Sequence, residues 1–371
     1  MSKKAERALI ASLGIGLLSL LGVVVLASGR SIPEPDFPRD LRSTGLYSDF
    51  ASKTVDPRNL HYSPQYALWS DGAAKQRWIF LPPGQTINAS DPDVWAFPAG
   101  TKVWKEFSFG GRRVETRLIQ ALGGGRLAFA AYAWNVNETE AVLVPEEGLK
   151  NVIQVRPGIG HDIPSVWDCR ACHVGDQEEI LGFSALQLSP DRDAGAPHAE
   201  PFLPDMVNLR TLIDRNLLRP FPTSWISHPP RVAAPTAAGR SALGYLHSNC
   251  GNCHNPSGPL EAHDLFLRYT VKPGMAPAAV VASIGHPSHY PIPGAEPGTS
   301  FLVDPGDPDH SAVVYRMATR NPLRQMPPLG TEIADDEAVS LISRWIAKDL
   351  KPGPSHGATP AHSKRLAKEE P

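Results

Sequence analysis

Apolar residues recur with different rhythms along this 371-residue chain, and each rhythm predicts a different kind of structure. Residues 8–28 form an almost unbroken apolar run, preceded by Lys3, Lys4 and Arg7. As a helix, about 20 such residues span about 30 Å, the hydrocarbon thickness of a bilayer. The positive charge ahead of the run predicts a cytoplasmic N-terminus and an exported body. Residues 1–30 therefore read as one transmembrane anchor or a signal helix, with Val25-Leu26-Ala27 as the cleavage site in the second case. Residues 31–42 are a Pro-rich linker. From 43 to 156 short apolar runs are separated by Gly, Pro, Asn and Asp. Strands are expected at 77–81, 101–107, 113–119, 127–134, 141–144 and 152–155. Six short strands of this kind predict a sandwich or barrel.

Residues 157–233 are loop-rich, with a short helical piece at 206–218. From 234 to 350 the period turns helical, with helices at 240–248, 311–319 and 335–346. In the last of these Val339, Ile342, Trp345 and Ile346 form a stripe, and Asp335 or Asp336 caps the first turn. Residues 351–371 are rich in Pro, Gly, Lys and Glu and read as a disordered tail. The expected architecture is multi-domain α+β: a β-rich sandwich or barrel, a loop-rich segment, and a C-terminal all-α domain.

Composition changes this picture at one residue type. A net charge of −2 gives no electrostatic pull towards nucleic acid. Thirty-eight prolines favour irregular connections. The four cysteines all fall in two copies of C-x-x-C-H, Cys169-Arg-Ala-Cys172-His173 and Cys250-Gly-Asn-Cys253-His254. Chance would supply roughly 0.0015 such sites in a chain of this make-up. Two thiols three positions apart can both add to the vinyl groups on one edge of a haem, and the following histidine then reaches the iron. Cys169, Cys172, Cys250 and Cys253 thus become attachment points for two covalently bound haem c groups, with His173 and His254 as proximal ligands. The other readings are a redox dithiol, or one zinc site of four cysteines, which leaves both histidines unexplained.

For the second motif, Met326 in Gln325-Met-Pro-Pro-Leu-Gly-Thr331 is the candidate distal ligand, held by Pro327 and Pro328. Met275 and Met317 are weaker candidates, and Met317 falls in a helical apolar pattern. The segment 237–350 resembles a class I cytochrome c domain. The likeness rests on Tyr245-Leu-His-Ser-Asn-Cys-Gly-Asn-Cys-His254, Pro305-Gly-Asp-Pro-Asp-His-Ser311, Met326-Pro-Pro and the helix ending at Trp345-Ile346. That resemblance implies an α-helical fold around one haem with His/Met ligation and electron transfer, with an insertion near 273–298. Residues 40–350 also resemble a family of bacterial dihaem cytochrome c-like proteins, through Ser43-Thr-Gly-Leu-Tyr47, Leu68-Trp-Ser-Asp-Gly72, Phe97-Pro-Ala-Gly-Thr101, Glu115-Thr-Arg117 and Leu181-Gly-Phe183. This second resemblance implies two haems and a β-rich N-terminal part, and no agreed reaction.

No Met-Pro segment follows the first motif. Its distal candidates are His161, His198, Met206 and His247, with His161 foremost because a short loop can fold it back, or the position is open. Asp71, Lys75, Arg77, Lys105, Glu115 and Arg117 read as solvent-facing charges on strands, or as a substrate or partner site. Arg316, Arg320 and Arg324 are candidates to pair with haem propionates, or form a solvated helix face. The expected role is a periplasmic electron carrier between redox protein partners, anchored to the membrane where the N-terminal helix is uncleaved. The alternatives are a haem-dependent, peroxidase-like oxidoreductase whose second haem feeds an open first one, and a partner- or ligand-binding β domain with a haem relay.

Overall fold

The computed structural model describes residues 35–173, 180–258, 260–263, 265–272, 283–296 and 298–351. The apolar run at 8–28 and the tail at 352–371 lie outside the described residues, so the expected N-terminal helix does too. Among the described residues, no helix is long and apolar enough to cross a membrane.

The predicted strands are present, but they build neither a sandwich nor a barrel. Strands β1 (Tyr47–Asp49) and β2 (Thr54–Val55) form a small ladder. Strands β3 (Leu60–His61), β4 (Ala74–Phe80), β5 (Lys102–Phe109), β6 (Arg112–Gly123), β7 (Arg126–Trp134) and β8 (Ala141–Leu143) form one antiparallel meander in sequence order. A hairpin of β9 (Leu149–Arg156) and β10 (Ile159–Ile163) follows. Among the described residues, no second large sheet covers the meander. One face carries Trp78, Trp104, Leu118, Ala130 and Tyr132, which pack on Leu41, Leu46 and Tyr47 from the preceding segment. The expected linker at 31–42 is therefore partly structural: Leu41 is fully buried, and Asp40 bridges to Val142. The other face carries Ile79 and Val103, covered by Ile180, Phe183, Leu209, Leu212, Leu218 and Trp225 from the loop-rich segment. Both faces are closed by short elements and irregular chain, which the strand pattern alone could not distinguish from a second sheet.

Among the described residues the α-helices are α1 (Val166–His173), α2 (Leu209–Asp214), α3 (Ala237–Asn249), α4 (Ala312–Ala318) and α5 (Asp336–Asp349). Asp335 caps α5 by accepting from the Ala338 N–H at 3.0 Å. The expectation of a separate all-α C-terminal domain is corrected. Among the described residues, 234–350 hold the α-helices α3, α4 and α5 with isolated bridges Ile284↔Val303 and Pro287↔Phe301 between them. From Phe37 onward the chain is one compact unit. The core around α3 and α5 includes Tyr66 and Leu186 from earlier in the chain. Asn249 accepts the Trp69 N–H at 2.7 Å, and the Trp69 indole donates to the Ile333 carbonyl at 3.1 Å. A helical set that borrows core residues from elsewhere cannot close alone.

Gly244 of α3 makes one of these joins possible. A Cβ there would lie 2.0 Å from a Tyr66 ring carbon, so the aromatic ring rests against bare helix backbone. Gly244→Ala is expected to destabilise the chain by about 1–3 kcal/mol through overpacking. Urea unfolding measures this, and a midpoint equal to wild type would refute the close approach.

Candidate functional site

The first C-x-x-C-H lies on the helix α1, in a stretch whose residue pattern predicts loop. Ser165 precedes α1, and its hydroxyl accepts the Asp168 N–H at 3.1 Å while Asp168 accepts the Ser165 N–H at 2.9 Å. This is a capping box, and Ser165-Val-Trp-Asp168 was its sequence signal. Cys169, Cys172 and His173 then follow on one short helix, with the His173 ring 5.4 Å from that of Phe129.

The second motif starts where α3 stops. The Cys250 and Gly251 N–H groups both donate to the Leu246 carbonyl at 3.0 Å, and His254 N–H donates to the Cys250 carbonyl at 2.9 Å. Gly251 is required here, because a Cβ would lie 2.6 Å from the His247 carbonyl and 2.8 Å from Arg268 Cα. Asn255, unremarked in the sequence, braces the turn by donating to the Gly251 carbonyl at 2.9 Å and the Asn252 carbonyl at 3.1 Å.

Tertiary folding brings the two motifs together. The Cys172 and Cys253 thiols lie against each other, and this contact raises the Cys172 thiol and pulls Cys253 down. Each motif opens into its own cavity, and Cys172, Asn249, Asn252, Pro327 and Leu329 line both. The four sulfurs do not converge as one zinc site would require. Among the described residues, the one group of at least three His, Cys, Asp or Glu whose ligand atoms lie within 4.8 Å of one another is Asp304, Asp307 and His310.

The second cavity has a volume of 540 Å³ and is lined by Cys250, Cys253, His254 and Met326 together with Leu265, Leu267, Leu302 and Val313. Apolar walls and a volume within about 300–1,000 Å³ are what a cofactor site needs. His254 Nδ1 is buried and has no hydrogen-bond partner among the described residues, and burial lowers the imidazole to about 4, so the ring is neutral. A neutral imidazole is the form that binds a metal. Met326 is anchored from both sides: its N–H donates to the Arg316 carbonyl at 2.8 Å, and its carbonyl accepts from Arg320 at 3.0 Å. Met317 also lines this cavity but belongs to the buried core of α3 and α5. Met275 lies outside the described residues. Of the three arginines, Arg316 alone lines the cavity; Arg320 is spent on the Met326 loop, and Arg324 donates to the Tyr315 hydroxyl at 3.3 Å. The donor set and the room both fit a haem.

Comparisons with protein-family models, curated proteins and solved structures find no match to this chain. The reading of the site therefore stands on its residues.

The first cavity is smaller, 170 Å³, and is lined by Cys169, Cys172, His173, Arg77, Lys105, Arg117, Arg268 and His247. Its donor set fits a haem, but its volume falls short of a cofactor site. The distal candidates named from sequence are mostly committed elsewhere. His161 is fully buried, with Nδ1 2.9 Å from Asp71 and Nε2 3.2 Å from Glu115, and it does not line the cavity. Both of its ring nitrogens are engaged, so neither offers a lone pair to a metal. His198 bonds Asp335 at 2.8 Å. The Met206 sulfur accepts the Leu203 N–H at 3.3 Å. His247 lines the cavity, but its Nδ1 accepts the Tyr269 N–H at 3.2 Å, which leaves the proton on Nε2.

The strand charges are not solvent-facing, as expected from alternation. Asp71, Lys75, Arg77 and Glu115 are buried. Of the six, Arg77, Lys105 and Arg117 line the first cavity, a placement that only the covering segments decide.

Proposed function

We propose that this chain is an exported dihaem c-type cytochrome that passes electrons between redox partners. The observation that carries the reading is the contact between the two C-x-x-C-H motifs, remote in sequence, through Cys172 and Cys253. Cys250 and Cys253 would hold the second haem covalently, with His254 and Met326 as its axial ligands; Cys169, Cys172 and His173 would serve the first. A bound haem supplies one-electron redox chemistry. The residues would supply position: attachment points this close would hold two bound haems near each other, and electron transfer slows steeply with distance. The apolar walls of the second cavity exclude water and, with a thioether ligand, favour the reduced state. Lys3, Lys4, Arg7 and the apolar run after them support export to the periplasm, where covalent attachment prevents loss of the group.

A second reading is favoured by the first cavity. None of the four distal candidates named from sequence offers it a free ring nitrogen or sulfur, which supports an open position where a small molecule could react. The two readings differ in resting spin state: two low-spin haems support the carrier, one high-spin haem the oxidoreductase.

The test is the haem content of the purified full-length chain, by pyridine haemochrome against protein. Two haems per chain are expected, and one in each of the double variants C169S/C172S and C250S/C253S. In a potentiometric titration, losing either haem is expected to shift the midpoint of the other. Absence of covalent haem from the wild-type chain would refute the proposal, and unshifted midpoints would refute the relay.

A further inference from the structure

The antiparallel register places Arg77 opposite Lys105 and Lys105 opposite Arg117 on three adjacent strands, β4, β5 and β6. Three cations in one cross-strand row repel one another and are destabilising unless something offsets them. Two have internal partners. Arg77 pairs with Glu200 at 2.5 Å, and Arg117 with Glu115 at 2.5 Å. Glu115 also serves His161, so its charge is shared. Lys105, in the middle, has no hydrogen-bond or ion-pair partner among the described residues; its ammonium lies 4.8 Å from the centre of the Phe107 ring. All three line the first cavity, with Arg268 a fourth cation, and Asp168 is the one acidic residue among the lining side chains. Asp168 is held by the hydroxyl and N–H of Ser165. Lys105 is therefore the cation of this row without an ion-pair partner among the described residues, Glu200 acting on it only at longer range.

We propose that the row Arg77, Lys105 and Arg117 is a binding site for a carboxylate or small oxyanion, held beside Cys169 and His173. Arginine forks and a lysine point charge make the charge-assisted contacts such a group needs. Burial, with Arg77, Lys75 and Arg117 nearby, pushes the Lys105 ammonium well below its ordinary value, and an arriving anion offsets that repulsion. The 170 Å³ cavity has room for a small anion. The same chemistry has two sources: a free small anion, or the propionates of a haem on the first motif. The second source rests on the proposed function, and the first does not.

The experiment is isothermal titration of the full-length chain with acetate and with inorganic phosphate, after its haem content is measured. The variant is Lys105→Met, which keeps length and removes charge. Binding by the wild-type chain that K105M weakens about tenfold or more, equivalent to at least ~1.4 kcal/mol, assigns a free anion. No binding by the two-haem wild type, with K105-dependent binding by C169S/C172S, assigns the propionates. Should C169S/C172S fail to fold, the redox-induced infrared carboxylate bands of wild type and K105M read that arm, and a shifted band supports it. A chain that carries no haem is itself the vacated state, so the titration still reads the site even though the proposed function has failed. Absence of Lys105-dependent anion binding in every folded form, with carboxylate bands unchanged by K105M, overturns the site.

Discussion

Replacing His161 with alanine is expected to lower the unfolding free energy by about 3–5 kcal/mol, because it removes the positive partner of two buried carboxylates. Asp71 and Glu115 meet at this ring, at 2.9 Å and 3.2 Å. Asp71 also accepts the Glu332 and Ile333 N–H groups at 2.7 Å and 3.1 Å, so the imidazolium ties β6 and β10 to the loop before α5. Burial by itself would lower the pKa of His161, but the hydrogen bonds to Asp71 and Glu115 outweigh it and raise it to about 9. The folded-state value lies above the ordinary 6.5 of the unfolded chain. The contribution is therefore fully present below about pH 6.5 and is lost as pH rises towards about 9. Urea unfolding across this range should show wild-type stability falling and the His161→Ala curve flatter. Spectra separate this role from ligation: the variant, where folded, keeps the wild-type haem absorption. A change in spin state on substituting His161, with unchanged unfolding, would restore it as a ligand and refute the ion-pair role.

Replacing Met326 with alanine is expected to abolish the low-spin signature of one haem entirely, with its midpoint potential falling. The thioether is the soft neutral donor that shares the second cavity with His254. The main chain of Met326 is fixed by Arg316 and Arg320, so the loop should keep its place when the side chain is cut back. Met326→His should restore a low-spin spectrum at a lower potential, since imidazole is the harder ligand. Optical and electron paramagnetic resonance spectra check both variants. An unchanged spectrum in Met326→Ala would move the assignment to Met317, the other methionine among the residues lining that cavity.

Much of the local structure was legible in the sequence. Alternation gave strands β4 to β9 within a few residues, because a pleated strand with a buried face imposes a period of two. The stripe at Val339, Ile342, Trp345 and Ile346 gave α5, and Asp335 gave its start. The short helix α1 was missed, since it buries no residue fully and so shows no apolar stripe; the Ser165–Asp168 box was its one signal. Alternation also misplaced the charges on β4, β5 and β6. It states that Arg77, Lys105 and Arg117 share a face, but not that 180–225 covers it.

Determined by the sequence alone were the two C-x-x-C-H motifs and Met326 in its proline-bounded loop, since these are residue types at fixed spacing. Tertiary structure decided the rest. It joined the expected separate domains into one unit through Tyr66, Trp69 and Asp71. It took His161 out of the list of ligands and set Cys172 against Cys253. Such outcomes depend on which groups share a neighbourhood after collapse, and contacts between residues far apart in the chain leave no periodic trace in either segment.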